Sequence, residues 1–124
     1  MFDEIKKIID EIKKEENKTK QMFQEVENYN FKVDELEKLR KRIIRLSEVF
    51  KYIEERFKYI EERASEKYMT KGLENYCKDY LRRLKDINSY LESIVREFRV
   101  WGRATKNLEE LFDTVTEYTY VRRQ

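Results

Sequence analysis

A heptapeptide repeated in tandem near the middle of the chain constrains the fold more than any other feature. Residues 50–56 and 57–63 have the identical sequence FKYIEER. A seven-residue repeat is typical of helices that pack along a left-handed coiled-coil seam. Phe50, Ile53, Phe57 and Ile60 fall on that seam, and glutamates and arginines flank it. The repeat therefore predicts a long helix that packs against other helices, with Phe57 and Ile60 buried.

The composition also favours a wholly helical fold. The chain has 124 residues, no proline and two glycines, which are too few turn-formers for a many-stranded sheet. Charged residues make up 44% of the chain, yet apolar and aromatic residues recur at helical spacing. This combination indicates long helices with a narrow apolar seam and wide charged faces. We expect a single domain over residues 1–124.

Shifts in the phase of the apolar repeat divide the chain into separate helices. Extending one seam into the next segment would bury glutamate, lysine and arginine side chains, so each shift marks a chain reversal. We therefore predict an all-α antiparallel bundle of three long helices, at about 2–29, 35–68 and 73–101, with a shorter C-terminal helix at about 107–120.

Local signals at the turns agree with these boundaries. Asp34 and Glu37 resemble a capping box at the start of the second helix, and Gly72 favours a left-handed cap before the third. Gly102 favours a helix end, and Asn107 favours a new helix start beyond it. The third seam nevertheless continues in phase past Gly102, so one very long helix is the alternative.

The chain lacks the residues that most catalytic and metal sites need. It has no histidine, which excludes Ser-His-Asp and Cys-His catalysis within the chain and removes the commonest metal ligand. The single cysteine, Cys77, falls on the third seam and is expected to be a buried, inert thiol. The glutamate pairs in the tandem repeat are predicted to lie on a solvated helix face. We expect no enzymatic activity, no catalytic residue, no cofactor, no metal and no small-molecule substrate.

The basic residues are distributed unevenly around two helices, although the formal net charge is only +2. Cations dominate the outer positions of the third helix, and on the second helix cations alternate with tyrosines. Such surfaces suit an anionic partner, and the tyrosines suit stacking on unpaired bases. The alternative is a solvated surface crossed by ion pairs. The candidate residues are Lys78, Arg82, Lys85, Arg96, Arg99 and Arg103 on the third helix, and Lys38, Arg45, Lys51, Tyr52, Lys58 and Tyr59 on the second.

One family resemblance is found in the third helix. Residues 90–95, with the sequence YLESIV, and the pair Trp101-Gly102 resemble the C-terminal helix of the small all-helical subunits of type III CRISPR effector complexes. Residues 39–41 are similar to a short motif in an earlier helix of that family. The resemblance is confined to these segments, and the chain continues beyond the family's ending. It implies a non-catalytic subunit that packs along guide and target RNA.

Two functional hypotheses follow. The first is a helical-bundle protein that acts through protein–protein interaction, as an assembly subunit, adaptor or small regulator, and that forms homo-oligomers. Apolar and aromatic residues outside the seams, such as Ile44 and Val49, leave room for a partner surface. The second is a nucleic-acid-binding accessory subunit of a ribonucleoprotein or DNA complex. Because no apolar run is long enough to span a bilayer and acids dilute the basic face of residues 2–12, we expect a cytoplasmic protein without a membrane partner.

Overall fold

The computed structural model describes residues 2–63 and 70–123, with side chains described as far as residue 119. It contains α1 (Phe2–Glu27), α2 (Asp34–Arg63) and α3 (Lys71–Arg123), and no strand within these residues. The prediction of an all-α fold is confirmed. The separate C-terminal helix is wrong, because α3 runs through residue 102 without a break. Residues 64–68, predicted as the end of the second helix, lie outside the described residues.

α1 and α3 run side by side in the same direction, and α2 connects them in the opposite direction. Ion pairs show the parallel order: Glu11 meets Lys85 at 3.8 Å, and further along both helices Glu25 meets Arg99 at 2.7 Å. α1 packs more extensively against α3 than against α2, whereas the backbones of α2 and α3 scarcely approach each other. α1 therefore lies between the other two helices on one side of the molecule.

The core is built from apolar residues that recur every three or four positions. The predicted seam of α1 is confirmed, and that of α3 is confirmed in part: both helices supply buried residues along almost the full length of their contact. Ile87 and Trp101, which were predicted on the seam of the third helix, are instead 43% and 48% exposed. Aromatic rings fill the end near the first turn, where Phe98 packs against Tyr29 and Phe31. The buried apolar residues are Ile5, Ile9, Ile12, Met22, Phe23 and Val26 of α1, Phe31 of the turn, Ile43, Phe50 and Phe57 of α2, and Cys77, Leu81, Leu84, Leu91, Ile94, Val95 and Phe98 of α3.

α2 is rotated about its axis relative to the predicted seam. Phe57 is buried as predicted, with 2% of its surface exposed, but Ile60 is only partly buried. Leu46 and Ile53, both predicted on the seam, are 52% and 41% exposed, while Ser47 is buried. The predicted seam of α2 is therefore only half correct.

Two glutamates of the tandem repeat explain this rotation. Glu54 meets Lys20 of α1 at 2.8 Å, and Glu61 meets Lys13 of α1 at 2.6 Å. Both carboxylates are largely shielded from solvent, so the prediction of a solvated face is wrong for Glu54 and Glu61. Turning these glutamates toward α1 turns the neighbouring Leu and Ile side chains away from it.

The turn between α1 and α2 is closed by side chains of α2. The Glu37 carboxylate accepts a hydrogen bond from the backbone N–H of Phe31 at 3.1 Å, in the turn. A capping-box glutamate would bond the N–H of the N-cap residue, so the predicted capping box of Asp34 and Glu37 is wrong. Arg40 donates to the carbonyl oxygens of Val26, at 3.3 Å, and Glu27, at 3.0 Å. These contacts satisfy carbonyl groups that the end of α1 leaves without helical partners.

The two glycines have other roles than those predicted. Gly72 lies in the first turn of α3 and has no positive φ, so the left-handed cap is wrong. Thr70 is the N-cap of α3: its hydroxyl oxygen accepts from the N–H of Leu73 at 3.3 Å. At Gly102, an added Cβ would lie 3.0 Å from Cε1 of Tyr29. Gly102 therefore permits close contact between α3 and the Tyr29 ring and does not end the helix.

Candidate interaction surfaces

α3 carries a second heptad-spaced stripe beside the one that faces the core. We call this second stripe the outer seam. Each of its residues directly precedes, in the sequence, a position of the stripe that faces the core. Apolar or aromatic residues occupy all of its positions except Arg83 and Glu97. Seven of its large hydrophobic side chains are exposed, from 43% at Ile87 to 64% at Tyr90. The outer seam consists of Tyr76, Tyr80, Arg83, Ile87, Tyr90, Ile94, Glu97, Trp101, Ala104, Leu108, Leu111 and Val115.

The last part of α3, residues 103–123, extends past the rest of the bundle, and we call it the extension. Its first turns lie beside the α1–α2 turn, where Lys32 meets Glu109 at 3.1 Å on the surface. Beyond them the outer seam continues with Leu111 at 58% and Val115 at 53% exposure, and Phe112 beside them is 73% exposed. Residues 107–119 contain four acids and no cation.

A groove lies between α2 and α3 on the side opposite α1, and we call it the α2/α3 groove. The ring of Tyr80 forms part of its wall and stacks on Phe57, with 4.9 Å between ring centroids. Arg56 and Arg83 line its rim. The groove also includes the exposed side of α2 that the rotation of this helix created. Its apolar lining comes from Phe50, Tyr52 and Ile53 of α2 and from Tyr76, Tyr80, Leu84 and Ile87 of α3.

The six predicted cations of α3 are all exposed, but most of them are engaged. Four have a carboxylate within salt-bridge distance. Within the described residues, no carboxylate lies at that distance from Arg96 or Arg103. The pairs are Lys78–Glu74 at 3.0 Å, Arg82–Asp79 at 2.6 Å, Lys85–Glu11 at 3.8 Å and Arg99–Glu25 at 2.7 Å.

The six predicted residues of α2 are all exposed, and three of them border different clefts. Lys51 and Lys58 border clefts against α1, whereas Tyr52 lines the α2/α3 groove. The ring of Tyr59 is covered by the guanidinium of Arg63, 3.3 Å from the ring centroid. Lys38 and Arg45 are exposed as well.

A buried polar network between α1 and α3 was not recognised in the sequence. The Asn88 amide is 2% exposed and donates to the backbone carbonyl of Glu15 at 3.1 Å and to its carboxylate at 2.7 Å. The Thr19 hydroxyl lies 2.5 Å from the Asn88 amide oxygen. Such a polar layer in an apolar seam favours one register of α1 against α3. The signal in the sequence for this network was a polar residue, Asn88, at a heptad position of the core.

A second buried polar contact joins Glu16 to Tyr80. The Tyr80 hydroxyl donates to the Glu16 carboxylate at 2.9 Å, and Glu16 is 7% exposed. Burial raises the pKa of Glu16, although the hydrogen bond from Tyr80 lowers it. Burial and the adjacent carboxylate also raise the pKa of Tyr80. The contact thus holds a carboxylate inside the bundle.

Cys77 and the carboxylates are groups that could in principle react or bind a metal ion. Cys77 is 1% exposed, as predicted, and burial raises the pKa of its thiol. Among the described residues, no group of three or more Cys, Asp or Glu side chains is placed to hold a metal ion. None of the helices in the described ranges has a stretch both apolar and long enough to cross a membrane.

Comparisons with known proteins give no function for this chain. No family profile, curated protein or solved structure matches the chain. The segment 90–95 that carries the CRISPR-subunit resemblance lies in the middle of α3, and Gly102 lies against Tyr29.

Proposed function

We propose that this protein is non-enzymatic and acts through protein–protein interaction, with the outer seam of α3 as its binding surface. The observation that carries this proposal is the exposure of seven large apolar or aromatic side chains of the outer seam, between Tyr76 and Val115. At 1.5 Å per residue this stripe is about 60 Å long. Many exposed apolar side chains along one stripe are typical of a binding site.

Affinity purification with and without nuclease treatment tests the proposal. Leu111→Glu places a charge in the outer seam, and Thr116→Glu places the same charge outside the outer seam on the same helix as a matched control. We expect the wild type and Thr116→Glu to recover the same proteins with or without nuclease, and Leu111→Glu to lose them. Recovery of the same proteins by all three, or their loss on nuclease treatment, would contradict the proposal.

Nucleic-acid binding through the basic face of α3 is a second proposal. It is supported by Arg96 and Arg103, which are exposed, seven residues apart and without an ion pair in the described part of the chain. It is weakened by the four neighbouring cations that already hold carboxylates. Each phosphate contact adds about 0.9 to the slope of log affinity against log salt for duplex DNA.

The double variant Arg96→Gln/Arg103→Gln tests this second proposal. It spares Arg99, whose ion pair with Glu25 contributes to packing, so folding is preserved. We expect the salt slope of binding to duplex DNA to fall by about 2 while the thermal midpoint stays unchanged. Absence of binding to DNA or RNA at low salt would rule out this function.

A further inference from the structure

We propose that the outer seam is covered by the outer seam of a second copy of this chain, running antiparallel. In this pairing the extension of each copy lies in the α2/α3 groove of the other. The inference rests on the proposed function and names its partner. Three features of the structure support it: the shape of the groove, the sequence of the seam and the charge of the extension.

The groove has the shape that a fourth helix requires. α1 packs between α2 and α3 on one side of the molecule, and the backbones of α2 and α3 remain apart. On the other side the α2/α3 groove is apolar and open to solvent, with Ile53 of α2 and Ile87 of α3 exposed on its walls. A helix seated there would contact both α2 and α3 and complete a four-helix arrangement.

The apolar positions of the outer seam, which exclude Arg83 and Glu97, can pair with each other when two copies run antiparallel. In an antiparallel coiled coil, each a position of one helix packs beside a d position of the other helix. In one such register Tyr90 lies opposite Trp101 of the second copy, and Ile87 lies opposite its Ala104, a large residue against a small one. Tyr80 lies opposite Leu111. The same register places the extension of each copy beside residues 76–90 of the other, where the α2/α3 groove lies.

Charge favours the same arrangement. Residues 107–119 carry Glu109, Glu110, Asp113 and Glu117 and no cation. The groove is lined by Arg56 and by Arg83, which is paired with Asp79 at 3.1 Å. The positions that flank the outer seam within the extension are uncharged: Thr105, Asn107, Phe112 and Thr114. Flanking charges decide which coiled-coil partners are rejected. A second copy therefore meets Arg56 at the groove and no like charge along the seam of the extension.

The exposed area of the chain is what a dimer-forming chain should show. The surface of the chain is 9702 Å², whereas a folded monomer of 15.5 kDa exposes about 7,200 Å². The excess of about 2,500 Å² far exceeds the roughly 800 Å² per partner of a standard interface, and it reaches the upper range of obligate homodimers.

Sedimentation equilibrium of the purified chain tests the pairing. We expect the wild type and the matched control Thr116→Glu to be dimers at micromolar concentration. We expect Leu111→Glu and the groove variant Ile53→Glu to shift the dimer–monomer midpoint at least tenfold toward monomer, with helical circular dichroism of the bundle retained. A wild type that stays monomeric at 100-fold higher concentration overturns the inference, as does a dimer that Leu111→Glu leaves intact.

Disulfide trapping of mixed variants tests the direction and the register. Ile87→Cys and Ala104→Cys are made in separate chains, with the buried Cys77 left in place. Mixing them under oxidation should give a cross-linked heterodimer, because a disulfide needs Cα atoms about 4.4–6.8 Å apart. Mixing Ala104→Cys with Ser89→Cys, whose cysteine lies on another face of α3, should not. Cross-linking of Ile87→Cys with itself indicates a parallel pair and overturns the inference.

Failure of this inference is distinguishable from failure of the proposed function. If the wild type is monomeric but Leu111→Glu loses other proteins in the affinity experiment, the second copy is the wrong partner and the interaction function stands. If the wild type is monomeric and Leu111→Glu loses nothing, both are wrong.

Discussion

The two parts of α3 continue the same heptad pattern into opposite environments. In the part that packs against α1, Leu91 and Phe98 are 2% and 0% exposed. In the extension, Phe112, which continues the stripe of Leu91 and Phe98, is 73% exposed, although both parts belong to one unbroken helix. The difference arises because α1 ends at Glu27 and has no turn left to cover residues beyond the first part of the extension. Periodicity predicts a seam, and the length of the neighbouring helices decides whether the seam is covered.

Truncating one phenylalanine in each part tests this comparison most strongly. Phe98→Ala should lower the free energy of unfolding by about 3–5 kcal/mol, because it leaves a cavity among Tyr29, Phe31 and the core of α3. Phe112→Ala should change it by less than about 0.5 kcal/mol, since the ring is mostly in solvent. Urea unfolding of both variants, at concentrations where the chain is monomeric, measures the two values. Similar losses for the two would show that the extension is packed in solution.

A double-mutant cycle at the boundary between the two parts sharpens the comparison. Gly102→Ala should gain up to about 1 kcal/mol from helix propensity but lose it again through crowding, because the new Cβ meets the Tyr29 ring. That ring cannot move freely, since it stacks on Phe31. In a Tyr29→Ala background the same change should be stabilising. Thermal unfolding of the four proteins should give a coupling of about 0.5–3 kcal/mol between the two sites. No coupling would mean that Gly102 has no packing role.

The smallest expected effect on stability concerns Glu16, a buried carboxylate of α1. Its folded pKa is raised, so the folded state binds the proton more tightly than the unfolded state does. The ionised carboxylate therefore lowers stability above the folded pKa, and this cost disappears as the pH falls toward the ordinary glutamate value of about 4.3. Glu16→Gln should raise the thermal midpoint slightly at pH 7 and keep an oxygen that accepts from Tyr80. The groups that face Glu16 are Tyr80, Glu54, Lys20 and Glu61.

Thermal midpoints of the wild type and Glu16→Gln between pH 4 and pH 8 measure this effect. The difference should shrink as the pH falls. A difference that grows at acid pH would mean that the carboxylate is stabilised by its partners in the folded state.

The helices were predictable where burial follows from spacing alone. The seams of α1 and α3 could be read from the sequence because each is apolar on one side, with Ile5, Ile12, Leu84 and Leu91 all at heptad positions. The seam of α2 could not. Its rotation depends on Lys13 and other lysines of α1, which pair with glutamates at positions where the repeat itself shows only charge.

The candidate surfaces were predictable only in part, for a similar reason. Outer helix positions correctly indicated that Arg82 and Arg99 are exposed. Whether such a cation is engaged depends on carboxylates of other segments, such as Glu25 of α1 for Arg99. The break predicted at Gly102 failed because an isolated glycine marks either a helix end or a close contact. Only the position of the Tyr29 ring distinguishes the two.

The arginine that closes the end of α1 has a consequence for the order of folding. α1 has no basic residue in its own last turn, and Arg40 supplies donors to its final carbonyls across only 13 and 14 residues of sequence. Contacts this local cost little chain entropy, so the α1–α2 corner should form early, before the distant pairing of α1 with α3. Arg40→Ala should then slow folding, with a φ-value well above that of Phe98→Ala in stopped-flow refolding. Equal φ-values at the two sites would place both contacts at the same stage of folding.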